Sequence, residues 1–210
     1  MEIKKKVVCF DFETNGLSPY ENQPIELAAK SIELDGTSRE LNLLIKCNKK
    51  LPDLIVKLTG ITDDMLSSSG IEYEDAMQQL CNFMELNKEK PNEDIFLVGH
   101  NFLKFDIPFL KQYTDIRDIK LNKYTQRWDT AGHYKAKALG LHINDYKNIP
   151  DYHYAALTTR AAGLKFNLAV CCIDAGIELN DAHRAIGDTR ATLELFKKQL
   201  DSFKMSRSWT

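Results

Sequence analysis

The sequence predicts an α/β protein, a mixed five-stranded sheet with helices on both faces. Three observations lead there. Residues 5–13 form a nearly continuous apolar run, as in a strand covered on both faces. Two further strand-like segments follow, joined by the turn pair Asp35-Gly36. Two later strand segments each lead into a helical pattern, and such crossovers place helices over a sheet.

The elements follow in order. "KKVVCFDFE" supplies the first strand, and "PIELAAKSIEL" and "SRELNLLIKC" supply the hairpin partners. "LTGIT" (58–62) reads as a turn around Gly60. In "IEYEDAMQQLCNFMELNKEK", Ala76, Leu80, Phe83, Met84 and Asn87 recur at helical spacing, and Pro91 closes the segment. "DIFLVGH" reads as a short strand ending at Gly99-His100, and "FDIPFLKQY" as a helix that tolerates Pro108 in its first turn. "NKYTQRWDT" reads as the last strand, with Asp129 or Thr130 capping the next helix. Residues 140–164, with Pro150 and three tyrosines (Tyr146, Tyr152 and Tyr154), read as a partly helical insertion. "FNLAVCCIDAGI" is a short helix ending near Gly176. A final helix runs from about Ala185 to about Phe203, with Leu193, Phe196, Leu200 and Phe203 as its apolar stripe.

Composition bounds the function. A chain of 210 residues, 43% hydrophobic and 28% charged, is enough for one globular domain, taken here as residues 1–210. No apolar run approaches the ~20 residues of a membrane span. The short apolar stretch after the lysines of "MEIKKKVVCF" does not resemble a signal segment, which predicts a cytoplasmic protein with no membrane partner. Five cysteines without a CxxC pair predict reduced core thiols. A net charge of −2 argues against a broad non-specific grip on nucleic acid, so any such contact is local.

The chemistry-bearing residues are scattered. Asp11 and Glu13 lie two apart on a strand and share a face. A same-face pair of acids before a glycine turn suits a hard divalent cation. Asp106 opens one helix and Asp188 lies near the start of another, where an acid also serves the helix dipole. His183 lies in the polar stretch "NDAHRAIGD", where an imidazole can take a proton from water.

Taken together and in order, these residues resemble the DnaQ-like 3′–5′ exonucleases of the DEDDh type, in the RNase H-like superfamily. "FDFETNGL" is similar to the family's first motif, "GHNFLKFDIPFL" to its second and "HRAIGDTRAT" to its third. The resemblance covers almost the whole chain except about 140–164. It implies an RNase H-like exonuclease fold and a metal site of Asp11, Glu13, Asp106 and Asp188 that holds two divalent cations, Mg2+ or Mn2+. Two such ions can stabilise both ends of an in-line displacement at phosphorus. It further implies that Asp11 bridges both ions, that Glu13 and Asp188 complete one and Asp106 holds the other, and that His183 is the general base. Thr14, Asn15, Gly16 and Leu17 after the acids, and His100, Asn101 and Phe102 before the second motif, are the expected substrate contacts. Asn15 departs from the threonine common there. The implied activity is hydrolysis of a nucleic-acid 3′ end to nucleoside 5′-monophosphates. Single-stranded DNA in proofreading or repair is the favoured substrate, and RNA 3′ ends or short oligoribonucleotides are the alternative. A polymerase is a candidate partner. "QLDSF" (199–203) is also similar to a sliding-clamp-binding peptide, with Ser202 in place of its leucine.

Overall fold

The computed structural model describes residues 5–86, 95–119, 126–179 and 183–205. Its sheet contains β1 (Lys6–Thr14), β2 (Pro24–Ile32), β3 (Ser38–Leu44), β4 (Ile95–Gly99) and β5 (Gln126–Asp129). The spatial order is β3-β2-β1-β4-β5. β1 pairs antiparallel with β2, and β2 with β3, whereas β1–β4 and β4–β5 are parallel. The mixed five-stranded sheet is therefore as expected.

Alternation along β1 divides the molecule into two layers. Val8, Phe10 and Phe12 face a core completed by α3 (Tyr73–Phe83) and α4 (Asp106–Ile116), through residues such as Met77, Leu80, Phe109 and Leu110. Val7 and Cys9 face the opposite core, where α8 (Ala185–Met205) contributes Leu193, Phe196, Leu200 and Phe203. This is the stripe the spacing predicted. Asp11 and Glu13 continue the row of Val7 and Cys9, so the acids project from the face that α8 covers.

The stretch after β3 holds more than a turn. Two helices of seven residues, α1 (Asp53–Thr59) and α2 (Asp63–Ser69), flank the expected turn. Gly60 ends α1 at a φ of 72°, a left-handed position that favours glycine, and Thr62 caps α2 by accepting from the Met65 N–H. The expected closure at Pro91 and the first part of "NKYTQRWDT" lie outside the described residues.

Asp129, not Thr130, caps α5 (Thr130–Ala138), accepting from the Gly132 N–H. The tract expected as an insertion contains one 3₁₀ turn (Ile143–Asp145) and α6 (Ile149–Thr158), capped by Asn148. α6 packs on α5 and on the edge strand β5. His153 Nδ1 accepts the Asp129 N–H at 3.2 Å, which satisfies the end of an edge strand. Tyr152 is buried and stacks edge-on against Tyr146, so of the three tyrosines only Tyr154 is well exposed. α7 (Leu168–Asp174) buries Cys171 and Cys172 against α8. Cys9, Cys81, Cys171 and Cys172 are buried free thiols, and Cys47 is a half-buried one outside the expected core set.

The "QLDSF" segment belongs to the core. Gln199 accepts from Trp128 Nε1 and donates to the Thr130 carbonyl, both at 2.9 Å, and Leu200 and Phe203 are buried. Its anchor side chains are consumed by α8 packing, which corrects its reading as a clamp-binding peptide. Among the described residues no helix is long and apolar enough to cross a membrane.

One prediction concerns Gly132, inside α5. Helix propensity alone favours alanine there by about 1 kcal/mol. A Cβ at Gly132, however, would lie 2.7 Å from His153 Cβ and 3.1 Å from its carbonyl oxygen. We expect Gly132→Ala to destabilise the fold by about 1–3 kcal/mol, measured by urea unfolding. A gain in stability would show that α6 docks loosely.

Candidate active site

Three acids meet at the end of β1. Asp11 and Glu13 come from one face of the strand and Asp188 from the first turn of α8. Each offers an oxygen within 4.8 Å of the others, and all three are partly exposed. Among the described residues this is the one such group able to hold a metal ion. It unites three of the four expected metal ligands.

Asp106 is placed differently. β4 stops pairing with β1 at Cys9–Val98, so the edge of β1 beyond that point faces the chain leading into α4. There Asp106, 2% exposed at the start of α4, accepts the Phe12 N–H at 2.9 Å. Its carboxylate is bonded to the backbone of the strand that carries the other acids, outside their trio.

The electrostatics are those of acids awaiting a counter-charge. Burial, then Asp188 and Glu26, push the Asp11 carboxyl up to about 8. Burial, then Asp11 and Asp188, push Glu13 up to about 9, while Arg184 pulls it down. Burial raises Asp188 to about 6 against the lowering effect of His183. Asp106 is raised by burial and by Asp11. Asp188 Oδ1 is buried with no hydrogen-bond partner among the described residues. Clustered carboxylate oxygens, one of them unbonded, fit a divalent cation with oxygen ligands.

His183 lies beside this group. It is exposed, its backbone adopts a left-handed φ of 63°, and its proximity lowers the Asp188 carboxyl against the effect of burial. One residue that the sequence did not single out holds its neighbours. Glu26 of β2 is opposite Glu13 in register and fully buried. Its Oε1 accepts from Arg184 Nη2 and Nε at 2.6 and 3.1 Å, and its Oε2 from the Ala185 N–H at 3.0 Å. Inside "PIELAAKSIEL" nothing local marks Glu26, because its partner lies 158 positions away.

The expected substrate contacts divide. Leu17 is 83% exposed just beyond the acids. Thr14 and Asn15 are buried. Thr14 Oγ1 donates to the Gly16 carbonyl at 2.6 Å, and Asn15 Oδ1 accepts the Gln23 N–H at 2.8 Å. Gly16 abuts the Asn22 side chain, where a Cβ would lie at 2.5 Å. The Thr14 and Asn15 side chains brace the loop that presents Leu17. His100 uses both ring nitrogens, Nδ1 with Thr130 Oγ1 at 2.9 Å and Nε2 with the Phe166 carbonyl at 3.0 Å. Burial lowers its pKa to about 4, which keeps it neutral. Phe102 is fully buried against Phe10, so it is a core residue and not a lining of the cleft. Asn101 has a left-handed φ of 59°, and its N–H donates to Asp129 Oδ1 at 2.9 Å. Asp129, another residue the sequence marked only as a cap, also accepts the Leu103 N–H at 3.0 Å and so shapes the loop before α4.

A family model described as RNase_T, exonuclease, matches residues 8–196. DNA polymerase III PolC-type of Staphylococcus haemolyticus is 30% identical over 197 residues, which is 94% of this chain and 11% of that one. The PolC-type polymerase of Mycoplasma genitalium is 31% identical over 113 residues, 54% of this chain and 7% of that one. Among solved structures, Escherichia coli exonuclease I in complex with a dT13 oligonucleotide superposes with a TM-score of 0.69 at 18% identity. That match covers 96% of this chain and 42% of that one. Exonuclease I of Methylocaldum szegediense gives 0.66 at 17% identity, over 94% and 40% of the two chains. The chain thus spans about a tenth of the S. haemolyticus relative and two-fifths of these structures.

The raised acids give a pH prediction for the metal-free chain. A carboxyl whose pKa rises on folding stabilises the fold while protonated, and that contribution is lost as pH climbs through the folded value. For Asp11 and Glu13 the loss runs up through about 8 to 9. Below about pH 6.5 the depressed His100 and His133 act in the opposite sense, so the acids are read cleanly above neutrality. In EDTA, stability should fall between about pH 7 and pH 8.5. Asp11→Asn should recover about 1–3 kcal/mol of it, several degrees in thermal melting. If Asp11→Asn melts lower than the parent at the alkaline end, the acids do not repel as described.

Proposed function

From the premise that this chain belongs to the RNase_T exonuclease family, we propose that it is a metal-dependent 3′–5′ exonuclease acting on single-stranded DNA ends. The observation that carries the proposal is the convergence of Asp11, Glu13 and Asp188 beside His183, with Asp106 bonded behind the same strand. Asp11, Glu13, Asp106 and Asp188 would hold two divalent cations, Mg2+ or Mn2+. Such ions, when bound, neutralise the charge that builds on the attacking and leaving oxygens at phosphorus.

The chain's own residues account for the rest. Asp188 lies beside His183, and the exposed His183 imidazole takes the proton from the attacking water. The 5′-monophosphate and a strand one nucleotide shorter then leave. Leu17 offers an apolar surface to the terminal base, on a loop stiffened by Thr14, Asn15 and Gly16. A few contacts at one end suit a chain of net charge −2, because each phosphate contact adds salt-sensitive affinity.

DNA is favoured over RNA because the similar exonuclease I structure is a complex with a dT13 oligonucleotide and the similar relatives are DNA polymerases. The same relatives support work beside a polymerase, in proofreading or repair.

The test uses matched end-labelled DNA and RNA single strands. With Mg2+ or Mn2+ the DNA should yield mononucleotides from its 3′ end, and none should appear in EDTA. Asp188→Ala and His183→Ala should each lower turnover by about 10²–10⁴-fold with the circular dichroism unchanged. Full activity of Asp188→Ala would refute the metal site. Faster release from RNA would transfer the proposal to an exoribonuclease.

A further inference from the structure

We propose that Glu26 and Arg184 form a positioning latch that fixes the turn carrying His183, so that catalysis depends on a pair that touches neither cation nor substrate. The inference rests on the reading of His183 as general base.

Glu26 is the fifth carboxylate at this end of the sheet, and its neighbours are already crowded. It is opposite Glu13 in register, and its charge adds to the repulsion felt by Asp11, Glu13 and Asp188. A fully buried acid in that place is costly unless its oxygens are taken. Both are taken, by one short stretch of chain. Arg184 reaches Oε1 and the Ala185 N–H reaches Oε2. Glu26 therefore acts on α8 as a cap donated by another element, since it satisfies an N–H of the first turn that has no partner within the helix.

The geometry selects His183 as the residue so positioned. His183 precedes the latched pair and takes a left-handed backbone, uncommon for a residue with a side chain. On the other side, the Asp188 N–H donates to the Arg184 carbonyl at 3.1 Å. The turn is thus closed by Asp188 from within and pinned to β2 by Glu26 from outside. Replacing a buried ion pair by well-packed apolar groups is often neutral for stability. Retaining an acid in the most acid-crowded corner of the fold is better explained by register than by stability.

The test is a double-mutant cycle with a readout that does not need activity. Glu26→Gln keeps the volume and an acceptor for the Ala185 N–H but removes the charge pair. Arg184→Lys keeps the cation and loses the planar contact, and its side chain is 37% exposed, so it serves if the first variant does not fold. Each should lower kcat about tenfold or more on end-labelled single-stranded DNA. The KM for DNA and the Mn2+ affinity by calorimetry should stay within about threefold. In a His183→Ala background neither should lower kcat further, because the group they position is gone. An equal loss in both backgrounds would overturn the latch, as would a change confined to KM or to metal affinity. Independently, amide hydrogen exchange at Ala185 should quicken about tenfold in both variants while β1 amides hold. Unchanged exchange overturns the latch whatever the chain does to DNA. Absence of nucleotide release by the parent chain, with quickened exchange in the variants, overturns the general-base reading and leaves the latch standing.

Discussion

Carboxylates gathered at one end of a sheet repel one another, and because the site is half withdrawn from water that repulsion is weakly screened. Asp11, Glu13 and Asp188 would separate if their elements could yield. The rest of the structure is arranged so that they cannot. β1 is paired with β2 from Val7 to Thr14 and with β4 from Lys6 to Cys9, and it is packed on both faces, with Val8, Phe10 and Phe12 in one core and Val7 and Cys9 in the other. α8 lies over the second face along Leu193, Phe196, Leu200 and Phe203, far from the acids it opposes. Apolar burial along β1 and α8 thus holds charges together that their own interaction would drive apart. A divalent cation relieves the same repulsion, which is why a site of this kind is both destabilising and receptive.

The backbone around the acids follows from where strands stop. β4 leaves β1 after Cys9, and the edge it vacates is filled from α4 by Asp106, on the Phe12 N–H. The intervening turn needs its own support, and Asp129 supplies it with bonds from Asn101, Leu103 and Gly132. Burial raises Asp129 to about 6 although those N–H groups favour its charge. One buried acid at the end of β5 therefore sets the entry to α4 and, through it, the place of Asp106. His100 adds a second tie, from the end of β4 to Thr130 and to the Phe166 carbonyl.

α6 shows how a tract outside the recognisable motifs is put to use. It lies on α5 at Gly132 and on β5 at Trp128, whose indole meets the rings of both His133 and His153. Its tyrosines mostly serve this packing, since Tyr152 is buried and Tyr154 alone is well exposed. The helix closes the β5 side of the sheet and keeps an edge strand from presenting its last N–H.

The sequence by itself determined the sheet, the long helix and the acids. Alternation in "VVCFDFET" placed Asp11 and Glu13 on one face, and the seven-residue rhythm of Leu193 and Leu200, filled by Phe196 and Phe203, placed α8. Such signals are local, a period of 2 or 3.6 read within one segment. Only the tertiary structure decided which residues serve the acids. Phe102 and Asn15 stand beside motif residues in the sequence and turn inward in the fold. Glu26, deep in an apolar strand, proves to hold the start of α8. The physical reason is that a side chain's partner is set by packing across the sheet. The contact between Glu26 and Arg184 spans 158 positions, and no local pattern encodes it.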